Sequence, residues 1–242
     1  MIHVGTSGWQ YRDWRGRLYP EGMAQSRWLE HYARTFSTVE VNNSFYRLPE
    51  RGTFERWAST TPDTFTFAVK ASRYLTHLKR LKDPREGIGR LWDNSAGLGD
   101  KRGPVLFQLP PRFPADLIRL EAFCALLPPR ILAAWEFRDP SWWIDDVFRL
   151  LDERGYAFVL PDRPGFRGPF IVTGGWSYVR FHQGTQTGPD YRRDKLRAWA
   201  ERIAEMDASD VWAFFNNDHG GAAVRDAIFL RKAMSAGGAD VC

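Results

Sequence analysis

The chain has 242 residues, of which 43 % are hydrophobic and 26 % charged, with a formal net charge of +5. These values exclude a disordered or fibrous chain and suit one α/β domain over residues 1–242, while the positive balance favours acidic partners. No apolar run approaches the roughly 18 residues of a membrane span, Met1-Ile2-His3-Val4-Gly5 lacks the regions of a secretion signal, and Cys124 and Cys242 supply no disulfide framework, so a cytoplasmic protein without membrane contact is expected.

Short β-rich runs recur with helical patterns between them, the signature of βα units around a parallel sheet. The first strand spans Ile2 to Thr6, and Trp28, Leu29, Tyr32 and Phe36 follow at helical spacing. Strand two, Thr38 to Val41, precedes a short second helix around Phe54 to Ser59. Strand three, Phe65 to Val69, leads to Asp83-Pro84-Arg85-Glu86, read as a capping box with proline at the first helical position. Strand four is Pro104 to Leu109, with a helix carrying Leu117, Leu120, Cys124 and Leu127. Strand five, Leu132 to Phe137, precedes a helix through Val147, Phe148 and Leu151 that stops at Gly155. Strand six is Ala157 to Leu160, and the Gly- and Pro-rich stretch Pro161 to Thr173 shows no helical period, so an irregular connection is expected there. Strand seven, Tyr178 to Phe181, a helix over Lys195 to Met206, strand eight, Val211 to Phe215, and a helix over Ala222 to Met234 complete the pattern. Eight strands fit a closed (β/α)₈ TIM barrel.

In such a barrel the strand bodies fill the core and function sits at their carboxyl ends. Period-two alternation puts Glu40 with Asn42, Glu136 with Arg138, and Arg180 with His182 on one side of their strands, with Val41, Phe137 and Phe181 on the other. The outer face must pack on helices, so the polar pairs are expected inside. Lys70, Gln108 and Asn216 end strands three, four and eight, and Trp9 and Tyr11 follow strand one.

Gly5-Thr6-Ser7-Gly8-Trp9 with Tyr11 and Trp14, Val39-Glu40-Val41-Asn42 with Phe45-Tyr46, and Gln108-Leu109-Pro110-Pro111-Arg112-Phe113 form distinctive blocks. So do Trp135-Glu136-Phe137-Arg138, Tyr178-Val179-Arg180-Phe181-His182 and Phe215-Asn216-Asn217-Asp218. Together they resemble the YecE-like family of TIM-barrel proteins, a domain of unknown function. Gln183, where a glycine is usual, and Asp226, where an asparagine is usual, depart from that pattern. The resemblance implies the barrel and no established activity.

Three readings stay open. In the first, an enzyme acts on a small polar or anionic, phosphorylated or hydroxylated substrate, with Glu40, Glu136 and His182 as acid–base residues. Trp9, Tyr11, Asn42, Lys70, Gln108, Arg138, Arg180 and Asn216 would then bind substrate, and Lys70, Arg138 and Arg180 would be the principal anion contacts. Paired carboxylates also admit a glycosidase, and Glu136, Asp162, His182 and Asp218 a metal set, although no spacing motif supports a metal. In the second, the basic segment Lys70 to Arg85, with Tyr74 and His77 interleaved, binds nucleic acid. In the third, the barrel is a non-catalytic sensor or scaffold. No dinucleotide fingerprint, phosphate loop or nucleophile elbow is present, so no cofactor is expected.

Overall fold

In the computed structural model, which describes all residues except 167, 186 and 187, eight strands pair in chain order into a closed parallel barrel. They are β1 (Ile2–Ser7), β2 (Thr38–Val41), β3 (Thr66–Lys70), β4 (Arg102–Gln108), β5 (Ala133–Glu136), β6 (Ala157–Asp162), β7 (Ser177–Phe181) and β8 (Val211–Phe215). Closure comes from β8 lying along β1, with Ile2 opposite Val211 and Thr6 opposite Phe215. The helices outside are α1 (Trp28–Tyr32), α2 (Asn43–Tyr46), α3 (Arg51–Thr60), α4 (Arg85–Ser95), α5 (Leu117–Cys124), α6 (Asp145–Glu153), α7 (Arg193–Ala204) and α8 (Ala222–Ala236). None of the described helices is long and apolar enough to cross a membrane.

Three local expectations change. The second predicted helix is longer than its apolar positions show, running over Arg51–Thr60. The first is shorter and ends at Tyr32, although Phe36 is still buried beyond it. The capping box does not form: Pro84 itself is the N-cap of α4, no side chain caps the helix, and Asp83 sits at φ 45°. After β6, no helix occurs among the described residues before β7, as the Gly- and Pro-rich composition implies.

The barrel wall divides the apolar residues into two layers. Ala68, Leu106, Ala134, Ala157, Val159, Trp176, Tyr178, Trp212 and Phe214 fill the interior. The alternate residues face out to the helices: Phe137 stacks on Trp142 with centroids 5.0 Å apart, and Phe181 meets the edge of Trp199 at 5.2 Å. The same alternation that turns Phe137 and Phe181 outward turns Glu136 and Arg180 inward.

Gly5 lets β1 approach β2. A methyl group there would collide with the carbonyl oxygen of Thr38, which also accepts the Tyr32 hydroxyl proton at 3.0 Å. Gly5→Ala should therefore destabilise the barrel by about 1–3 kcal/mol, read as a lower denaturant midpoint. An unchanged midpoint would show that β1 and β2 can separate freely.

Candidate functional site

Strand register builds the site from below. Ser7 lies opposite Glu40 and Gln108 opposite Glu136, so each pair projects into the barrel side by side. Ser7 Oγ donates to Glu40 Oε1 at 2.7 Å, and Gln108 Nε2 donates to Glu136 Oε2 at 2.7 Å. From β7, the Arg180 guanidinium joins the two halves, giving Nη2 to Glu40 Oε1 and Nη1 to Glu136 Oε2, each at 2.7 Å. Tyr178, two residues earlier on the same inward face, donates its hydroxyl to Glu40 Oε2 at 2.7 Å. Arg138 gives Nε to Glu136 Oε1 at 3.0 Å.

Glu40, Glu136 and Arg180 are all buried, and Arg138 is partly exposed. Burial raises the cost of ionising Glu40 and Glu136, but Arg180 together with Lys70 and the Ser7 hydrogen bond at Glu40, and with Arg138 and the Gln108 hydrogen bond at Glu136, outweighs it and holds both below the usual carboxylate range, Glu136 well below it. Burial disfavours the charge on Arg180, yet its two carboxylates more than restore it. The result is a closed ionic layer in which each charge meets its opposite.

Above this layer the mouth opens into a cavity of about 440 Å³. Of the residues predicted to bind substrate, Tyr11, Asn42, Lys70, Gln108, Arg138 and Asn216 line it. Phe45 and Tyr46 from α2, with Arg73 and His77 after β3, complete the wall. Those four lie in helical turns rather than strands, so strand alternation does not find them. Tyr178, by contrast, shares the alternation of Arg180 and was legible.

The remaining candidates lie elsewhere. Trp9 is packed edge-on against Trp57 of α3, with ring centroids 5.0 Å apart, in the outer core. Arg180 does not line the cavity, because both its Nη groups are committed to the glutamates beneath the floor. Glu40, Glu136 and His182 are also absent from the cavity wall. Two strongly ionised carboxylates bridged by one guanidinium cannot flank a glycosidic bond or exchange protons with a ligand above them, so the acid–base and glycosidase roles do not fit their placement.

His182 receives an Asn216 Nδ2 hydrogen bond at Nδ1, 3.3 Å, which puts the ring proton on Nε2, 3.7 Å from Glu136 Oε1. Burial and the neighbouring Arg180 push its pKa down to about 4, so the imidazole is neutral at pH 7 and does not titrate near neutrality as expected of it. The metal set considered from sequence is not assembled either. Asp162 faces outward, where it accepts from Lys195 Nζ at 2.6 Å and from the Trp199 indole. No cluster of three or more metal-ligating His, Cys, Asp or Glu side chains occurs among the described residues.

Lys70 is the group the ionic layer leaves over. It is 8 % exposed, and among the described residues its Nζ makes no hydrogen bond and has no carboxylate within 4 Å, facing instead the Phe45 ring at 4.2 Å from the centroid. Burial, with Arg180 adding to it against the pull of Glu40 and Glu136, lowers its pKa to about 8. Beyond Lys70 the basic segment leaves the barrel. Lys79, Arg80 and Lys82, with Arg119, border a separate groove of about 410 Å³, held by the left-handed backbone of Arg80 and Leu81. A third cleft, about 430 Å³, lies under the connection after β6, but its carboxylate, Asp162, is already paired with Lys195.

A solved relative shares this architecture. A DUF72 family protein from Thermotoga maritima superposes with a TM-score of 0.87 at 28 % identity, over 97 % of this chain and 99 % of that one. The UPF0759 protein YunF of Bacillus subtilis is 27 % identical over 92 % of the chain and 91 % of its own length. The UPF0759 protein YecE of Escherichia coli K12 is 31 % identical over 67 % of the chain and 59 % of its own length. The model of the protein of unknown function DUF72 matches residues 3–241, and the chain belongs to that family.

Proposed function

We propose that the mouth of the barrel binds a small anionic ligand, with a phosphate or carboxylate group met by Lys70 and Arg138 and an apolar part against Phe45 and Tyr46. The observation that carries this reading is Lys70, a cation on the wall of an open cavity with no carboxylate partner among the described residues. An unpaired buried cation costs several kcal/mol, and an anion entering the mouth would offset that cost. Arg138 uses only Nε within the protein among the described residues, which leaves its two Nη groups to form a fork on a phosphate or carboxylate. The ionic layer beneath keeps Arg138 in place through Glu136.

Thermal shift with inorganic phosphate, sulfate and sugar phosphates tests this. Phosphate should stabilise the wild type and a Lys79→Ala variant but not Lys70→Met. Loss in Lys79→Ala with retention in Lys70→Met would overturn it. A second reading, binding of single-stranded nucleic acid, draws on the groove lined by Lys79, Arg80, Lys82 and Arg119. Binding there must weaken steeply with salt, by roughly one logarithmic unit per logarithmic unit of salt for each phosphate met, whereas the mouth should respond little.

A further inference from the structure

We propose that Lys70 is a nucleophilic amine that condenses with the carbonyl group of an anionic aldehyde or ketone held in the mouth. The inference rests on the anion-binding reading and adds the chemical class of the ligand. The chain has six lysines, and the other five are poorly suited to such a reaction. Lys101 Nζ donates to the Ala58 and Thr61 carbonyls at 2.6 and 2.7 Å. Lys195 is bound to Asp162 at 2.6 Å. Lys79 stands 4.0 Å from Asp83 on the surface, and Lys82 and Lys232 are exposed. Lys70 alone combines burial, an open cavity in front of Nζ and freedom from hydrogen bonds among the described residues.

The surroundings of Lys70 favour both steps such a condensation needs. A nucleophilic lysine must shed its proton near neutral pH, and burial beside other cations achieves this. Here the wall is apolar at Phe45, and Arg180 and Arg138 oppose a further positive charge. Arg138 lines the same cavity and would hold the anionic end of the ligand while Nζ meets its carbonyl. The Nζ lone pair adds to the carbonyl carbon, and the carbonyl π pair moves to oxygen, which takes a proton. The carbinolamine then expels that oxygen as water while nitrogen gives up its remaining proton, leaving a C=N bond; amine plus carbonyl yields imine plus water with no oxidant or reductant. The lining offers no carboxylate, so proton transfer in these steps falls to solvent or to the His77 imidazole in the cavity wall.

Pyridoxal 5′-phosphate, an aldehyde with a phosphate, and glyoxylate, a smaller aldehyde with a carboxylate, serve as probes. Each would be added to the full chain in equimolar amount at pH 8, reduced with borohydride, and located by peptide mass mapping. Lys70 should carry at least about tenfold more label than any other lysine, reflecting its larger free-amine fraction, and inorganic phosphate should compete. Lys70→Arg cannot form the imine and should lose this adduct, whereas Lys79→Ala, outside the mouth, should keep both the Lys70 adduct and the thermal shift with phosphate. Label spread over Lys79, Lys82 and Lys232 according to exposure, with both probes, overturns the inference and leaves the anion reading standing if phosphate still stabilises the protein. Absence of both adduct and phosphate stabilisation removes the two together.

Discussion

Arg180→Ala should be the most damaging single substitution in the barrel interior, lowering stability by about 3–5 kcal/mol and the melting temperature by roughly 6–20 °C for a chain of this size. The guanidinium is the common partner of Glu40 and Glu136, and its removal leaves Glu40 with no ion-pair partner among the described residues and Glu136 with Arg138 alone. Tyr178, Ser7 and Gln108 would still donate to them, but neutral donors cannot replace a full charge in a buried site. The pH dependence separates this cause from simple loss of packing. In the wild type both carboxylates titrate below their unfolded range, so their stabilising contribution is complete above about pH 4.5 and is lost as pH falls through the folded values. In the variant the carboxylates favour their protonated forms, so its deficit against wild type should be largest at pH 7 and narrow towards pH 5. A deficit that stays constant between pH 5 and 7, or falls below about 1 kcal/mol, would show that the ionic layer does not hold the barrel interior together.

The barrel and the inward side of each polar strand end were legible because both follow from period-two alternation against an outer layer that must be apolar. Phe137 and Phe181 pack on the helices, and Glu136 and Arg180 point in, as that rule requires. Depth was not legible. Alternation assigns a face and says nothing of height along the barrel axis, so Glu40 and Arg180, which lie under the cavity floor, could not be told from Lys70 and Arg138, which line it. Nor does a count of charges reveal their pairing: three cations against two glutamates left any one of them free, and only the reach of the two Arg180 Nη groups across the barrel, one to each glutamate, fixes it between the carboxylates. Trp9 was misplaced because it follows the last residue of β1, where the strand period no longer applies and Trp57 captures the indole. Phe45 and His77 pack against each other at 4.9 Å between centroids from two separate helical turns after β2 and β3, a contact with no local sequence signal.

Lys70→Met should raise the stability of the ligand-free protein while abolishing its response to phosphate. A pKa lowered from 10.5 to about 8 means that the charged form of Lys70 is disfavoured in the folded state by about 3 kcal/mol at pH 7. Methionine matches the length of the stem, keeps its contact with Phe45 and carries no charge to desolvate. A gain of about 1–3 kcal/mol is expected, or about 2–12 °C in melting temperature, the usual exchange of stability for a binding group. The sign of the pH effect follows from the same shift. Between about pH 8 and 10.5 the unfolded chain holds the lysine proton and the folded protein has released it, so the wild type should gain stability relative to Lys70→Met as pH rises through that window. The advantage of the variant should therefore shrink from pH 7 to pH 10. Phosphate bound beside Lys70 would favour the protonated amine and draw its pKa back up, so binding should be accompanied by proton uptake near pH 8–9 and weaken as pH rises further. Titration calorimetry in buffers of different ionisation enthalpy measures that uptake directly. A Lys70→Met variant that melts lower than wild type, with no proton uptake on phosphate binding, would mean that the amine is already neutralised within the folded chain and that the mouth has no unmet positive charge to offer an anion.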